Sequence, residues 1–422
     1  MKKLVLGVSL LCALVLGPPA RAVICTVDAV PAATLLLPYF EVDLNNPNGL
    51  TTLFSVNNAS ATAVLAHVTV WSDLSVPVLD FNIYLTGYDV QTINLRDILS
   101  GAIPVTASAG QDPGDTISKK GPKSQDINFA SCAGQLPPPA LPASFIQHLA
   151  LALTGKASPI FGGLCSGRAL GDNIARGYIT VDTVNNCTLR LPSDIAYFIN
   201  DVTFQNVLWG DYFYVNSAQN FADGDTLVHV EASLTNPATT TAGRYTFYGR
   251  YVGWNAIDHR EPLATTFAGR YVTGGTFSGG TSYVVWRDSK TNQNPFTCPA
   301  TTGRPSWFPL GQEGIDIFDE MEQVSTPTTF PFSPQPPQQG IIPFPAEAQR
   351  TLINGADFPV PFAFGWLYLD LNTTVSGNPN PPFDPAAAQA WVTVVMDAAG
   401  RFSVGFSAIQ LDSACTPNHF VP

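Results

Sequence analysis

The stretch from Thr51 to Leu99 constrains the fold more than any other: TTLFSVNNASATAVLAHVTVWSDLSVPVLDFNIYLTGYDVQTINLRDIL is a series of strand-length runs broken by polar turns. Within Thr51–Asn57, Leu53 and Ser55 alternate with Thr52, Phe54 and Val56. Val64–Trp71 sets Val64, Ala66, Val68 and Val70 against Leu65, His67, Thr69 and Trp71. Val78–Leu85 and Tyr88–Leu95 follow, joined through Thr86-Gly87. Successive side chains of a strand point to opposite faces, so period-two runs with turns roughly every 8–12 residues predict an antiparallel β-sandwich. The expected fold class is all-β: two linked immunoglobulin-like antiparallel sandwiches with long loops and a few short helices.

Residues 1–22 read as a signal peptide rather than as part of the fold. Lys2 and Lys3 precede the apolar run Leu4–Gly17, and Ala20-Arg21-Ala22 has small-x-small cleavage spacing, which places the cut after Ala22. The run is shorter than the roughly 20 residues a transmembrane helix needs, and no later stretch is long and apolar enough. Leu11 and Ile24, which precede Cys12 and Cys25, are not the small residues a lipoprotein site requires. The expectation is an exported chain found in the periplasm, at the cell surface or outside the cell. Its net charge of −12 disfavours nucleic acid and anionic lipid as partners.

Loss of Cys12 leaves Cys25, Cys132, Cys165, Cys187, Cys298 and Cys415, an even set that favours disulfides in an exported protein. The expected local pair is Cys132–Cys165, with the other four unassigned. None has the C-x-x-C spacing of zinc or redox sites.

A first sandwich is expected over residues 23–200. It opens with a strand at Ala33–Leu44 that Pro38 should bulge, and closes with one at Gly177–Val184. Asn94 is a candidate cap for a short helical turn over Leu95–Leu99, and Ser144–Leu153 is the best helix candidate, with Ser144 as its cap. The polar, Gly/Pro/Ser-rich segment Gly101–Pro142 reads as a long excursion. A second sandwich is expected over residues 201–422, interrupted by a Pro-rich insertion at 327–345. FYVNSA at Phe213–Ala218 echoes FSVNNA at Phe54–Ala59, and TLVHVEAS at Thr226–Ser233 echoes VLAHVTVWS at Val64–Ser72. Either an old duplication or the common demands of half-buried strands explains these echoes. Ala346–Asn354 reads as a short helix, and Trp391–Asp397 with Arg401–Leu411 as a closing hairpin.

Few segments suggest chemistry. Gly163-Leu164-Cys165-Ser166-Gly167 has nucleophile-elbow letters but lacks the strand–turn–helix setting, and a half-cystine fits better. His67 and His229 occupy matching places in the echoed strands, so a paired metal site is conceivable beside ordinary packing. His259-Arg260-Glu261 reads as an acid/base cluster or as a turn whose Arg pairs with a nearby carboxylate. Asn220, Asp223 and Asp225, grouped around Gly224, supply hard oxygen ligands suited to calcium, the alternative being an Asp-Gly hairpin turn. Glu41, Asp43, Asn45 and Asn46 form a second oxygen-rich group, and Glu313, Asp316, Asp319, Glu320 and Glu322 a third.

The runs LLLPYFEVDL (Leu35–Leu44), TTLFSVNNAS (Thr51–Ser60) and VPVLDFNIYLTGYDVQTINLRD (Val76–Asp97) resemble a group of uncharacterised exported bacterial β-sandwich proteins. Asp258–Tyr271, Val284–Thr291 and Pro309–Glu320 are similar to the same group. The resemblance implies export and an all-β architecture, and brings with it no activity, ligand or catalytic residue.

The reading is therefore an exported, non-enzymatic structural or binding protein with a protein or glycan partner. The alternatives are a secreted carbohydrate-active or other hydrolase, using acidic residues near 313–322 with His259, and a calcium-stabilised adhesin or assembly subunit.

Overall fold

A computed structural model describes residues 29–104, 130–132, 135–136, 138–233, 246–249, 251–252, 257–288, 294–298, 305, 307–312, 314–325, 342–371 and 389–413. The signal-peptide segment, Cys25, Cys415 and most of the Pro-rich insertion lie outside the described residues.

The described chain is mostly strand, arranged in four sheets whose pairings are all antiparallel. The central sheet contains β1 (Thr34–Asp43), β3 (Val64–Ser72), β4 (Pro77–Leu85), β6 (Ile174–Val184) and β10 (Val228–Val230), in the order β10-β1-β6-β3-β4. A flanking sheet contains β2 (Thr51–Asn58), β5 (Val90–Asn94), β8 (Asp211–Asn216) and β9 (Phe221–Thr226) in the order β5-β2-β8-β9, with β7 (Leu208–Trp209) also on β2. A shared sheet runs β15-β12-β17-β18, from β12 (Gly280–Arg287), β15 (Ala348–Leu352), β17 (Ala390–Asp397) and β18 (Ser403–Ser407). The outer sheet runs β14-β13-β16-β11-β19, from β11 (Ala264–Val272), β13 (Gly314–Phe318), β14 (Val324–Ser325), β16 (Phe364–Asp370) and β19 (Ile409–Ser413).

Two cores result, and the shared sheet serves both. Val284, Trp286, Ala348, Trp391 and Val395 join the core of the central sheet. Their neighbours Tyr283, Val285, Val392 and Val394 point the other way, into the core under the outer sheet. Each fully buried aliphatic side chain contributes roughly 1.5–3 kcal/mol, so these alternating positions bind the halves together from both sides. The expected pair of separate sandwiches is thus replaced by stacked sheets with a common layer. The expected boundary at residue 200 also moves: β8, β9 and β10 pair with β2 and β1, within the first half.

The central sheet is buried on both faces, with every described residue of β3 and nine of ten in β1 buried. Gly177 permits its tight centre, since a Cβ there would fall 1.9 Å from the Trp71 carbonyl oxygen. The Pro38 bulge occurs as expected, as a register shift between Leu37 and Phe40.

Of the helices, α1 (Leu95–Leu99) begins as expected, with the Asn94 side chain accepting from the Arg96 N–H. Helix α2 (Ala143–Ala152) starts one residue early behind Pro142, and Ser144 does not cap it. Helix α3 (Ile195–Asn200), capped by Asp194, was not expected. The segment Ala346–Asn354 forms β15 rather than a helix, because its ladder to β12 satisfies the backbone from Ala348 to Leu352. The closing hairpin is real through β17 and β18, but the chain then leaves the shared sheet and β19 pairs with β11.

Candidate binding site

The disulfides differ from the expected local pair. Cys132 bonds Cys187, and Cys165 bonds Cys298, so a Cys132–Cys165 bridge does not form. Backbone pairing explains the choice. Cys165 forms a two-way backbone bridge with Phe296, which brings Cys298 alongside, while Ser131 accepts from the Cys187 N–H and seats Cys132 there. The half-cystine reading of the G-x-C-x-G segment holds.

Asp223 and Asp225 lie on β9, not in a turn, on one face and opposite Tyr214 and Tyr212. Asp225 accepts from the Ser407 hydroxyl, and Asn220 donates to the Gly400 carbonyl. Burial pushes the Asp223 carboxyl up to about 6, although backbone N–H groups of Gly224 and Gly405 oppose this. Asp225 thus ties β9 to β18, and Asn220 ties the start of β9 to the turn before β18. Among the described residues, no group of three or more His, Cys, Asp or Glu side chains could hold a metal ion.

His67 and His229 sit in β3 and β10 of the same sheet, three strand spacings apart, about 14 Å at the usual inter-strand distance. That separation excludes a shared ion. Burial lowers both pKa values, so His67 stays neutral against Asn82 while His229 accepts from the Gly210 N–H.

His259 packs edge-on against Phe204, whereas Asp319 caps the turn N–H groups of Met321 and Gln323 in the outer sheet. Glu320 and Glu322 are exposed, and Glu313 lies outside the described residues. The structure does not gather these groups into one site.

Arg260 takes the structural form expected of its triplet. Fully buried, it pairs with Asp258 at 3.0 Å and Asp182 at 3.3 Å, and donates through Nε to Thr34. Tyr197 and Tyr248 donate to the second Asp182 oxygen at 2.7 and 2.9 Å. Burial would depress the Arg260 guanidinium, but the two carboxylates hold it above its ordinary value. With no exposed member at its centre, this network is an internal strut.

A further candidate lies where the edge of the shared sheet meets β1 and β6. A cavity of about 640 Å³ is lined there by Tyr39, Glu41, Arg168, Arg176, Ser282 and Arg350, among others. That volume falls in the range of small-molecule sites, roughly 300–1,000 Å³. Glu41 follows the Pro38 bulge and pairs across the ladder with Arg176, 3.6 Å from its Nε. Arg176 forks onto Asp172 at 2.5 and 2.8 Å, and this hydrogen bonding holds the Asp172 carboxyl below its usual range. Arg350 reaches across from β15 to within 3.6 Å of the other Glu41 oxygen and lies over the Phe221 ring. Arg168 donates through Nε to Asp73 at 2.6 Å. Burial, then the Glu41 charge, raises the Tyr39 phenol far above its ordinary value, so it remains a donor to Glu41 at 3.0 Å.

Glu41 was expected among oxygen ligands; the structure sets it between two arginines, Arg176 and Arg350, and it accepts from the Tyr39 phenol. Arg168, Arg176 and Arg350 carry no sequence signal, being far apart in the chain and in no motif.

Comparison with profiles of known families, with curated proteins and with solved structures returned no match.

Proposed function

We propose that the chain is an exported, non-enzymatic binding protein that holds a small ligand in the cavity between β1, β6 and β15. One observation carries the reading: the cavity is walled by strands of two sheets and lined by Arg168 and Arg350, whose guanidinium groups keep donors unused among the described residues. Binding sites need such preorganised polar groups, which lose little freedom on engagement. Two disulfides favour an oxidising compartment, in keeping with the leader-like first 22 residues. Membership of the exported β-sandwich group suggested by the LDFNIYLTGYDV run belongs to the same proposal, as does a display role like that of immunoglobulin-like scaffolds. The side chains that suggested hydrolysis are otherwise engaged, Cys165 in a disulfide and Asp319 in a turn, which favours binding over turnover.

The test is a thermal-shift screen of the exported chain against cell-envelope metabolites and oligosaccharides, with mass spectrometry of each ligand afterwards. A ligand at 100 times its Kd should stabilise the fold by about 2.7 kcal/mol. Chemical conversion of a stabilising ligand would instead establish the hydrolase reading, and a flat screen would remove the binding one.

A further inference from the structure

Resting on that reading of the cavity, we infer that its ligand carries a single carboxylate on a hydroxylated frame, as a sugar acid does, and that Arg350 is the group that reads the carboxylate.

The argument starts from donors. A guanidinium has five N–H groups in a planar fork that matches a carboxylate edge. The Arg350 guanidinium forms no hydrogen bond with any described residue; its partners are Glu41, at the 3.6 Å of an ion pair, and the face of Phe221 at 5.6 Å. Among the described residues Arg168 spends only Nε, on Asp73, which leaves both Nη groups. Arg176, by contrast, is occupied by Asp172 and the Ile174 carbonyl. Both underused forks line the same cavity. The Phe221 ring, 5.6 Å from the Arg350 Cζ, adds a cation–π contact on one side of the guanidinium.

Charge then selects among anions. Each cavity arginine already faces a carboxylate: Asp73 for Arg168, Asp172 for Arg176 and Glu41 for Arg350. Asp357 adds a further negative group to the lining. The three arginines and four carboxylates sum to about one negative charge, so a phosphate, which near neutral pH brings closer to two more, is disfavoured more than a single carboxylate, and the carboxylate must gain from the underused forks rather than from net charge. The remaining walls suit a compact hydroxylated ring: Phe308 and Leu170 offer apolar surface, and the Ser282 hydroxyl has no partner among the described residues.

Three probes share one ring and differ at one carbon: galacturonate, galactose and galactose 6-phosphate. Calorimetry should find galacturonate binding at least about ten-fold tighter than galactose, as one charge-assisted fork warrants, and tighter than the phosphate. Arg350→Met should erase that preference, while Arg350→Lys, which keeps charge but loses the fork, should retain part of it. Melting curves establish that each variant is folded, and Arg168→Met serves as a second variant if Arg350→Met is not. Equal binding of the acid and the neutral sugar, or a preference that survives Arg350→Met, would overturn the carboxylate assignment while leaving a binding cavity. Tighter binding of the phosphate would assign a different anion. No saturable binding by any of the three would overturn the carboxylate assignment and count against the cavity itself.

Discussion

Replacing Arg260 with methionine removes a charge while keeping most of the side-chain volume. In the native fold this guanidinium faces Asp258 and Asp182, whose side chains are 0% and 1% exposed. Deleting one partner of a buried ion pair costs about 3–5 kcal/mol, because the other charge is left uncompensated. Here two carboxylates are left. Each keeps other donors, however: Tyr197 and Tyr248 for Asp182, and the Tyr248 and Arg260 backbone N–H groups for Asp258. That places the expected loss near the lower bound, at about 3 kcal/mol. Urea denaturation measures it as a fall in midpoint at constant slope. Adding Asp258→Asn, which removes one of the two stranded charges, should recover at least about 1 kcal/mol of the loss. A deficit below about 1 kcal/mol would refute the strut assignment.

Asp80 should behave as a pH-linked liability. Burial raises its carboxyl to about 7, and the neighbouring neutral His67 gives no charge compensation, so stability should decline as pH rises from about 4 through 7. Asp80→Asn should flatten that decline and gain about 2 kcal/mol at pH 8, read by urea titrations at the two ends; an unchanged slope would contradict it. The Cys165–Cys298 bridge spans 133 residues, so a Cys165→Ser, Cys298→Ser double variant should lose about 2–5 kcal/mol relative to the oxidised parent. Peptide mapping of the parent without reduction should recover that pair and Cys132–Cys187, and recovery of a Cys132–Cys165 fragment would reverse the assignment.

Strands with one polar face were legible because a half-buried ladder imposes its alternation on the sequence, as in Thr51–Asn58, and so was the bulge at Pro38. The layering was not legible. Strands buried on both faces read as near-continuous apolar runs, and Tyr283–Trp286 and Val392–Met396, interrupted only by Thr393, show that pattern without saying what lies on either side. Ala348–Leu352 misled for a related reason: Ala, Gln, Arg and Leu favour helix locally, yet the open edge of β12 captured them. The echo between Phe54–Ala59 and Phe213–Ala218 came from neighbouring strands of one sheet, solving the same packing problem rather than marking two domains.

The cavity was hidden because Glu41, Arg176 and Arg350 meet only after three distant strands are assembled, and no local spacing records that meeting. What identifies it is a contrast among the arginines of a chain with few charges. Arg260 is enclosed by Asp182, Asp258 and Thr34, and the Nη groups of Arg287 end on the carbonyls of Phe344, Gly311 and Leu371. Those two side chains are almost completely buried and tie segments together. Arg168 and Arg350 are instead about one-fifth exposed, with donors left over and a shared empty volume in front of them. A charged-residue content of 12% makes surplus guanidinium groups scarce. Two of them beside one cavity set it apart from the internal arginine ties, and the proposed ligand reading rests on that contrast.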